Sequence, residues 1–135
     1  MSTTMKTTIK VEIEGTGTQA AIHSIDVQAF DKIEINVPPE SGGTPGSAVV
    51  DVQPGGAGRV KLLLITASQY GTTSKELNYS VTGGTSDILL DAPQLLVGDG
   101  ALNLLGSTQN IFTFSNEFST AIDVQILTGR NAVAP

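Results

Sequence analysis

The sequence predicts an all-β protein, either an antiparallel β-sandwich or a jelly-roll-like single domain. Segments in which apolar and polar residues alternate with a period of two recur along nearly the whole chain, and stretches rich in Gly, Pro, Ser and Asn separate them. A chain of 135 residues can bury one hydrophobic core but hardly two. We therefore expect a flexible N-terminal arm over residues 1–8, followed by one sandwich domain over residues 9–135.

The arm is predicted from composition. Thr and Ser make up most of residues 1–8, so this segment has backbone hydrogen-bonding capacity but almost nothing to bury. Such an arm can become ordered against a neighbouring subunit. From residue 9 onward Ile9, Val11 and Ile13 alternate with charged residues, which is typical of a strand with one buried and one solvated face.

The later strands are predicted from the same alternation. They lie over residues 21–28, 32–37, 48–53, 59–66, 76–82, 87–91, 94–97, 101–105, 111–114 and 121–127. A Gly/Pro loop over residues 38–47 and a turn over Pro54–Gly58 interrupt them, since proline removes backbone donors and glycine admits positive φ. Leu62–Ile65 contains no polar residue, which indicates a strand covered on both faces, in the centre of a sheet or at a subunit contact.

The segment around Leu95–Leu105 has a helical alternative, because several of its leucines could lie on one helix face. Gly98 and Gly100 each oppose a helix by about 1 kcal/mol relative to alanine. We therefore predict a hairpin that turns at Gly98–Gly100, with a strand over residues 101–105.

Charge and composition narrow the classes of partner. The net charge is −6, and residues 76–135 contain six acids but only one base, Arg130. No basic stripe exists that could neutralise phosphates, which disfavours nucleic acid and anionic membranes as partners. The start of the chain lacks an apolar run of signal-peptide length, so we expect no signal peptide.

Few residues could do chemistry. His23 is the only histidine and the chain has no Cys, so no zinc site or thiol nucleophile is visible. We interpret His23 as a solvated or hydrogen-bonded strand residue. Carboxylates near strand ends could converge on calcium or act as paired acids, although they lack the spacing of an EF-hand. They are Asp87, Asp91, Asp99, Glu117 and Asp123.

The glycine-rich segments are interpreted as turns. Gly42–Gly46 and Pro54–Gly58 lack the Walker and dinucleotide-binding spacings, and Gly106-Ser107-Thr108 lacks the strand-turn-helix context of a nucleophile elbow. Phe112 and Phe114 share a strand face and are expected in the core. We therefore predict no catalytic, cofactor-binding or metal-binding residues, no cofactor, and a protein that is not an enzyme.

Four segments carry a resemblance to small virion proteins of tailed bacteriophages. They are Lys61–Ser68, Asp91–Gly98, Phe112–Asn116 and Val124–Arg130. The resemblance implies a capsid decoration or cement protein that binds and stabilises the outer capsid shell, commonly as a homotrimer on the major capsid protein. It also implies a virion location after synthesis in the host cytoplasm. The alternatives are a head-tail or tail component, and a non-catalytic module that binds glycans or a surface.

Removal of divalent metals should leave the protein folded, because only unpatterned carboxylates could bind them. We expect the melting temperature to be the same with and without EDTA, as measured by circular dichroism. A fall of many degrees in EDTA would reveal a structural calcium site.

Overall fold

The computed structural model describes residues 3–54 and 58–131, and this part of the chain forms ten strands and one short helical segment. The helical segment is a single α-helical turn, α1, over Asp99–Leu102, continued by a 3₁₀ helix over Asn103–Leu105. The strands are β1 Thr3–Ile13, β2 Gly17–Val27, β3 Ala29–Val37, β4 Gly46–Asp51, β5 Arg59–Ala67, β6 Leu77–Val81, β7 Ile88–Leu89, β8 Gln94–Val97, β9 Ile111–Asn116 and β10 Ile122–Asn131.

Eight of these strands form a sandwich of two four-stranded antiparallel sheets. The strand order is β3-β10-β5-β8 in the first sheet and β4-β9-β6-β7 in the second. The pairings are nested, because β3 pairs with β10, β4 with β9, β5 with β8 and β6 with β7. This is the strand order of a jelly roll, in which one long ribbon folds over on itself to make two sheets. The prediction of an all-β antiparallel sandwich is confirmed.

The core lies between the two sheets and centres on three aromatic rings. Tyr79 on β6 stacks on Phe112 with ring centroids 5.4 Å apart, and it contacts Phe114 at the same distance in a tilted arrangement. All three side chains are fully buried, which confirms the predicted core positions of Phe112 and Phe114. Burial raises the pKa of Tyr79 to about 12, so its phenol stays protonated and donates a 2.7 Å hydrogen bond to Gln94.

Strand β5 lies inside the first sheet, between β10 and β8, as the unbroken run Leu62–Ile65 predicted. Leu63 and Ile65 point into the core, while Leu62, on the opposite face of the strand, is also buried. A strand inside a sheet needs apolar residues on both sides only where something covers its outer face. At Leu62 the outer face is therefore covered.

The predicted hairpin at Gly98–Gly100 is wrong, because residues 99–105 are helical. Gly98 lies before the helix, with φ of 91°, so only Gly100 carries the helix penalty. Leu102 and Leu105 are three residues apart and both are buried. Their burial outweighs the single unfavourable glycine. Leu95 and Leu96 belong to β8 instead.

The predicted flexible arm over residues 1–8 differs from the structure from Thr3 onward. Residues 3–8 belong to β1, which pairs along its whole length with β2 in a two-stranded antiparallel sheet. The threonines of this segment are β-branched and fit an extended ladder well, so the composition that suggested an arm also suits a strand. Residues 1–2 lie outside the described residues.

The Gly/Pro loop is present between the end of β3 at Val37 and the start of β4 at Gly46. Gly42 and Gly43 adopt positive φ, at 60° and 83°, in a tight turn closed by a bridge between Ser41 and Thr44. Positions 55–57 of the predicted turn over Pro54–Gly58 lie outside the described residues.

Asn116 holds this loop against the sandwich. Its buried amide donates to the carbonyls of Pro38 at 3.1 Å and Thr120 at 2.9 Å, and its side-chain oxygen accepts from the N–H of Phe118 at 2.8 Å. A buried side chain that bonds to three backbone groups is costly to remove, because all three hydrogen bonds are lost together.

We expect Asn116→Ala to lower the free energy of unfolding by about 1–2 kcal/mol, since it removes hydrogen bonds to three partly buried backbone groups and leaves a cavity at a buried position. The matched control is Asn78→Ala, whose half-buried amide has one long contact of 3.4 Å to Glu76. Urea denaturation of both variants measures the difference. Equal losses in the two variants would contradict this role for Asn116.

Candidate interaction surfaces

The carboxylates singled out from the sequence do not form a metal site. No group of three or more His, Cys, Asp or Glu side chains that could hold a metal occurs within residues 3–54 and 58–131. Asp99, at the start of α1, pairs with Arg59 at 3.0 Å and Lys61 at 3.1 Å. The hydrogen bond from Lys61 is the main reason that the pKa of Asp99 is lowered. Asp99 therefore ties α1 to β5.

His23 lies on β2, exposed, and Thr7 on β1 faces it across the hairpin. The described glycines of the two glycine-rich segments lie in turns or at their ends. Gly106 follows the 3₁₀ helix with φ of 119°, and the next element is strand β9 rather than a helix. A nucleophile elbow requires a strand before the turn and a helix after it. At Gly106 the order is reversed, with a short helix before the glycine and a strand after it.

One end of the sandwich gathers acidic residues. At this end the N–H of Glu117 bonds to the carbonyl of Glu76, and the Glu117 carboxylate accepts from the N–H of Glu76 at 2.8 Å. Asp123 is the second residue of β10 and lies at the same end, where it accepts a 2.9 Å hydrogen bond from Asn36. We call this surface the acidic end, and its members are Glu40, Glu76, Asp91, Glu117 and Asp123.

Connections between loops fix the members of the acidic end. Glu40 donates its N–H to the carbonyl of Phe118, one residue after Glu117, and Asp91 follows Leu90, whose N–H bonds to Leu77. In the loops described at this end, Lys75 is the only base. The acidic C-terminal half predicted from the sequence thus becomes a compact acidic surface, except for Asp87 and Asp99, which lie elsewhere.

The β1–β2 hairpin is amphipathic over its eleven paired positions. The odd-numbered residues of both strands share one face, and this face is mainly apolar. Its members are Thr3, Met5, Thr7, Ile9, Val11, Ile13, Gly17, Gln19, Ala21, His23, Ile25 and Val27, and we call it the apolar hairpin face. The opposite face carries Lys6, Lys10, Glu12 and Asp26, with Lys10 and Glu12 paired at 2.7 Å.

Only the base of the hairpin is packed against the sandwich. Val27 is fully buried, and a side-chain carbon added to Gly129 on β10 would overlap Met5 and approach Val27 to 3.2 Å. Gly129 is opposite Leu62 in the first sheet, so the hairpin base is the cover over the outer face at Leu62. The sequence analysis did not predict this contact, although a glycine inside a strand is a recognised sign that another part of the chain approaches closely.

Beyond its base the hairpin projects from the sandwich. Ile9, Val11 and Ile13 are 43%, 56% and 58% exposed, although they lie on the apolar face. The two-stranded sheet has no further strand beside it in the described residues, so both of its outer edges are unpaired. Large exposed apolar patches and open strand edges mark surfaces that bind other chains.

A third surface is a shallow depression of about 480 Å³ on the outer face of the first sheet. Charged and polar side chains alternate there with leucines, and the lining includes Lys32, Glu34, Leu64, Thr66, Gln125 and Leu127. Phe30, on the same strand face as Lys32 and Glu34, is 51% exposed. Such a mixture could bind a polar ligand of moderate size.

Comparison with known protein families, characterised proteins and solved structures gives no match to this chain. Among the described residues, no helix has the length and apolar character needed to cross a membrane.

The contact between Met5 at the hairpin base and Gly129 can be tested by a double-mutant cycle. We expect Gly129→Ala to cost about 1–3 kcal/mol of stability at the hairpin base, because the added carbon overlaps Met5. In a Met5→Ala background the same substitution should cost less than about 1 kcal/mol, since the overlap is gone. Amide hydrogen exchange in β1 and β2 measures the effect. Equal costs in both backgrounds would show that Met5 does not rest on Gly129.

Proposed function

We propose that this protein is a virion structural protein, a capsid decoration or cement protein that binds and stabilises the outer capsid shell. The observation that carries the proposal is the presence of two contact surfaces at opposite ends of one sandwich. The hairpin base is at Gly129, near the end of β10, and the acidic end is at Asp123, near its beginning. The separation along β10 is about 20 Å, at about 3.4 Å per residue.

Two surfaces arranged in this way suit a protein that contacts its own copies and a shell at the same time. The apolar hairpin face offers a surface for association without charge, and the acidic end offers one for a basic protein surface. Cementing a shell requires both kinds of contact, because a decoration protein gains strength by engaging several neighbouring positions together.

The fold supports the proposal by analogy. Jelly rolls with two four-stranded sheets occur in viral capsid proteins and in lectin domains. A fold alone does not specify a function, so the analogy raises the plausibility of a virion role without assigning it. The resemblance of the four sequence segments to small tailed-phage virion proteins points the same way.

The acidic end is the better candidate for contact with the shell. Its five acids and one base attract a basic surface, and attraction of this kind mainly speeds association. The major capsid protein is the partner that this role requires.

The depression on the first sheet favours a second candidate, a non-catalytic module that binds glycans or a host surface. Its lining combines hydrogen-bonding groups such as Gln125 and Thr66 with apolar side chains such as Leu64, and Phe30 lies on the same sheet face. Sugar sites commonly combine polar side chains with an exposed ring. Binding of glycans to an array, lost in Gln125→Ala, would favour this function over the first.

The location in the particle tests the virion role. Purified particles of the phage that encodes the chain should contain the protein in many copies, and cryo-electron microscopy should place it on the outer shell. Density at the neck or tail would favour the head-tail or tail alternative. Absence from the particles would overturn the proposal.

Salt and charge should control binding to shells that lack the protein. We expect the association rate of Asp91→Asn/Asp123→Asn to fall several-fold at low ionic strength, because two steering charges are removed. The matched control, Ser47→Lys/Val49→Lys, changes the net charge equally on the outer face of the second sheet and should bind at nearly the normal rate. Surface plasmon resonance at two salt concentrations measures both. Binding that ignores salt would mean that the acidic end faces solvent.

A further inference from the structure

Beyond its base, where Met5 and Val27 rest on Gly129, the hairpin leaves three surfaces uncovered at once. They are the outer part of its apolar face, over residues 7–13 and 17–23, and its two outer edges. The ladder between β1 and β2 is continuous over eleven positions with no register shift. Neither strand contains a proline, and β1 contains no glycine. Proteins usually protect exposed edge strands by shortening them or by adding prolines and bulges. A long regular edge without these features is typical of a strand that pairs with another chain.

The way in which the three surfaces can be covered restricts the partner. Two copies that pair through β1 leave both β2 edges open, and two hairpins stacked face to face leave all four edges open. A closed ring covers every edge and encloses every apolar face, because a barrel has no edge strands. In a ring of three copies, β1 of each copy lies beside β2 of the next copy and runs antiparallel to it.

We propose that the hairpins of three copies of this chain close into a six-stranded antiparallel barrel, with the apolar hairpin faces inside beyond the base. The inference rests on the proposed function only in taking a homotrimer as the assembled state. The charged hairpin face, with Lys10 and Glu12, then lies outside in water. Each sandwich stays packed on Met5 and Val27 at the base of its own hairpin, and the acidic ends lie away from the barrel.

Charge complementarity selects the register between copies. The offset between neighbouring hairpins must be even, because an odd offset would turn charged residues inward. It must also differ from zero, since the strands of a closed barrel are staggered. Within one hairpin Lys6 faces Ser24. An offset of two residues places Lys6 opposite Asp26 of the next copy and keeps Met5–Ile13 paired with Gln19–Val27.

The faces and the edge ladders together form the interface between copies. Beyond the base, residues 7–13 pair with residues 17–23, and this part of the hairpin is roughly 24 Å long and about 10 Å wide. Three such faces enclose about 700 Å², and the ladders between copies add the backbone contacts that bring the contact to the size of a specific interface.

The first test is the mass in solution. Light scattering of the full chain at micromolar concentration should give three times the 13.9 kDa chain mass. Val11→Asp places a charge inside the barrel and should weaken the trimer at least tenfold. Ile22→Asp is the matched control, because Ile22 is 66% exposed on the charged face of the hairpin, and it should remain trimeric. A monomeric wild-type chain, or equal behaviour of the two variants, would overturn the inference.

The second test determines the register. The chain has no cysteine, so any disulfide must form between the introduced cysteines. Oxidised Lys6→Cys/Asp26→Cys should run as a covalent trimer on a non-reducing gel. The two positions are diagonal neighbours within one hairpin, about 7–8 Å apart, which is too far for a disulfide inside one chain. The control Lys6→Cys/Thr18→Cys, on the same face but out of register, should stay uncrosslinked. Monomers or closed dimers from the first variant would contradict the barrel.

The two proposals fail separately. A trimer that is absent from virions would retain the barrel and remove the shell role. A monomer that coats shells would retain the shell role and remove the barrel.

Discussion

The structure depends on where its last strand is placed. β10 lies between β3 and β5 and pairs with both, so β3 joins the rest of the first sheet only when this last described strand is in position. The same strand begins at the acidic end, next to Asp123, and carries Gly129, on which the hairpin rests. Arg130 near its end bonds to Asp31 at 3.3 Å and to the carbonyl of Pro54 at 3.0 Å. Because these pairings join residues that are distant in sequence, we expect the protein to fold more slowly than a protein of similar stability whose contacts are mostly local.

Buried amides hold the loops of a chain that has no disulfide. At the end of the sandwich nearest the hairpin, Gln53 donates to the carbonyl of Gln109, and Gln109 in turn donates to the carbonyls of Leu102 at 2.9 Å and Gly106 at 2.6 Å. Asn116 does the same at the acidic end. Each amide connects segments that the ladders do not reach, and a fully satisfied buried network specifies one arrangement of the loops. Hydrogen bonds from buried amides thus fix the loops in a chain that has no disulfide bonds.

The strands of the sandwich could be predicted because each buries one face, and a period of two reports that directly. The helical turn at residues 99–105 could not, since its stability comes from Leu102 and Leu105 entering a core formed by distant strands. The hairpin shows the limit of the pattern more clearly. Ile9, Val11 and Ile13 alternate as a core strand does, and the sequence cannot tell whether their face meets the chain's own core or another chain. The acidic end was predictable only as a charge imbalance, because the folding of β10 beside β3 decides which acids meet.

The two ends of the molecule respond to different physical variables. The acidic end acts through charge, and its field is screened within about 8 Å at physiological ionic strength. The hairpin acts through apolar area and backbone ladders, which salt changes little. Its charged face is separated from the acidic end by most of the length of the sandwich, well over twice the screening distance. In the proposed role, association of copies and docking on a shell are therefore independent steps, and the trimer can form before it meets the shell.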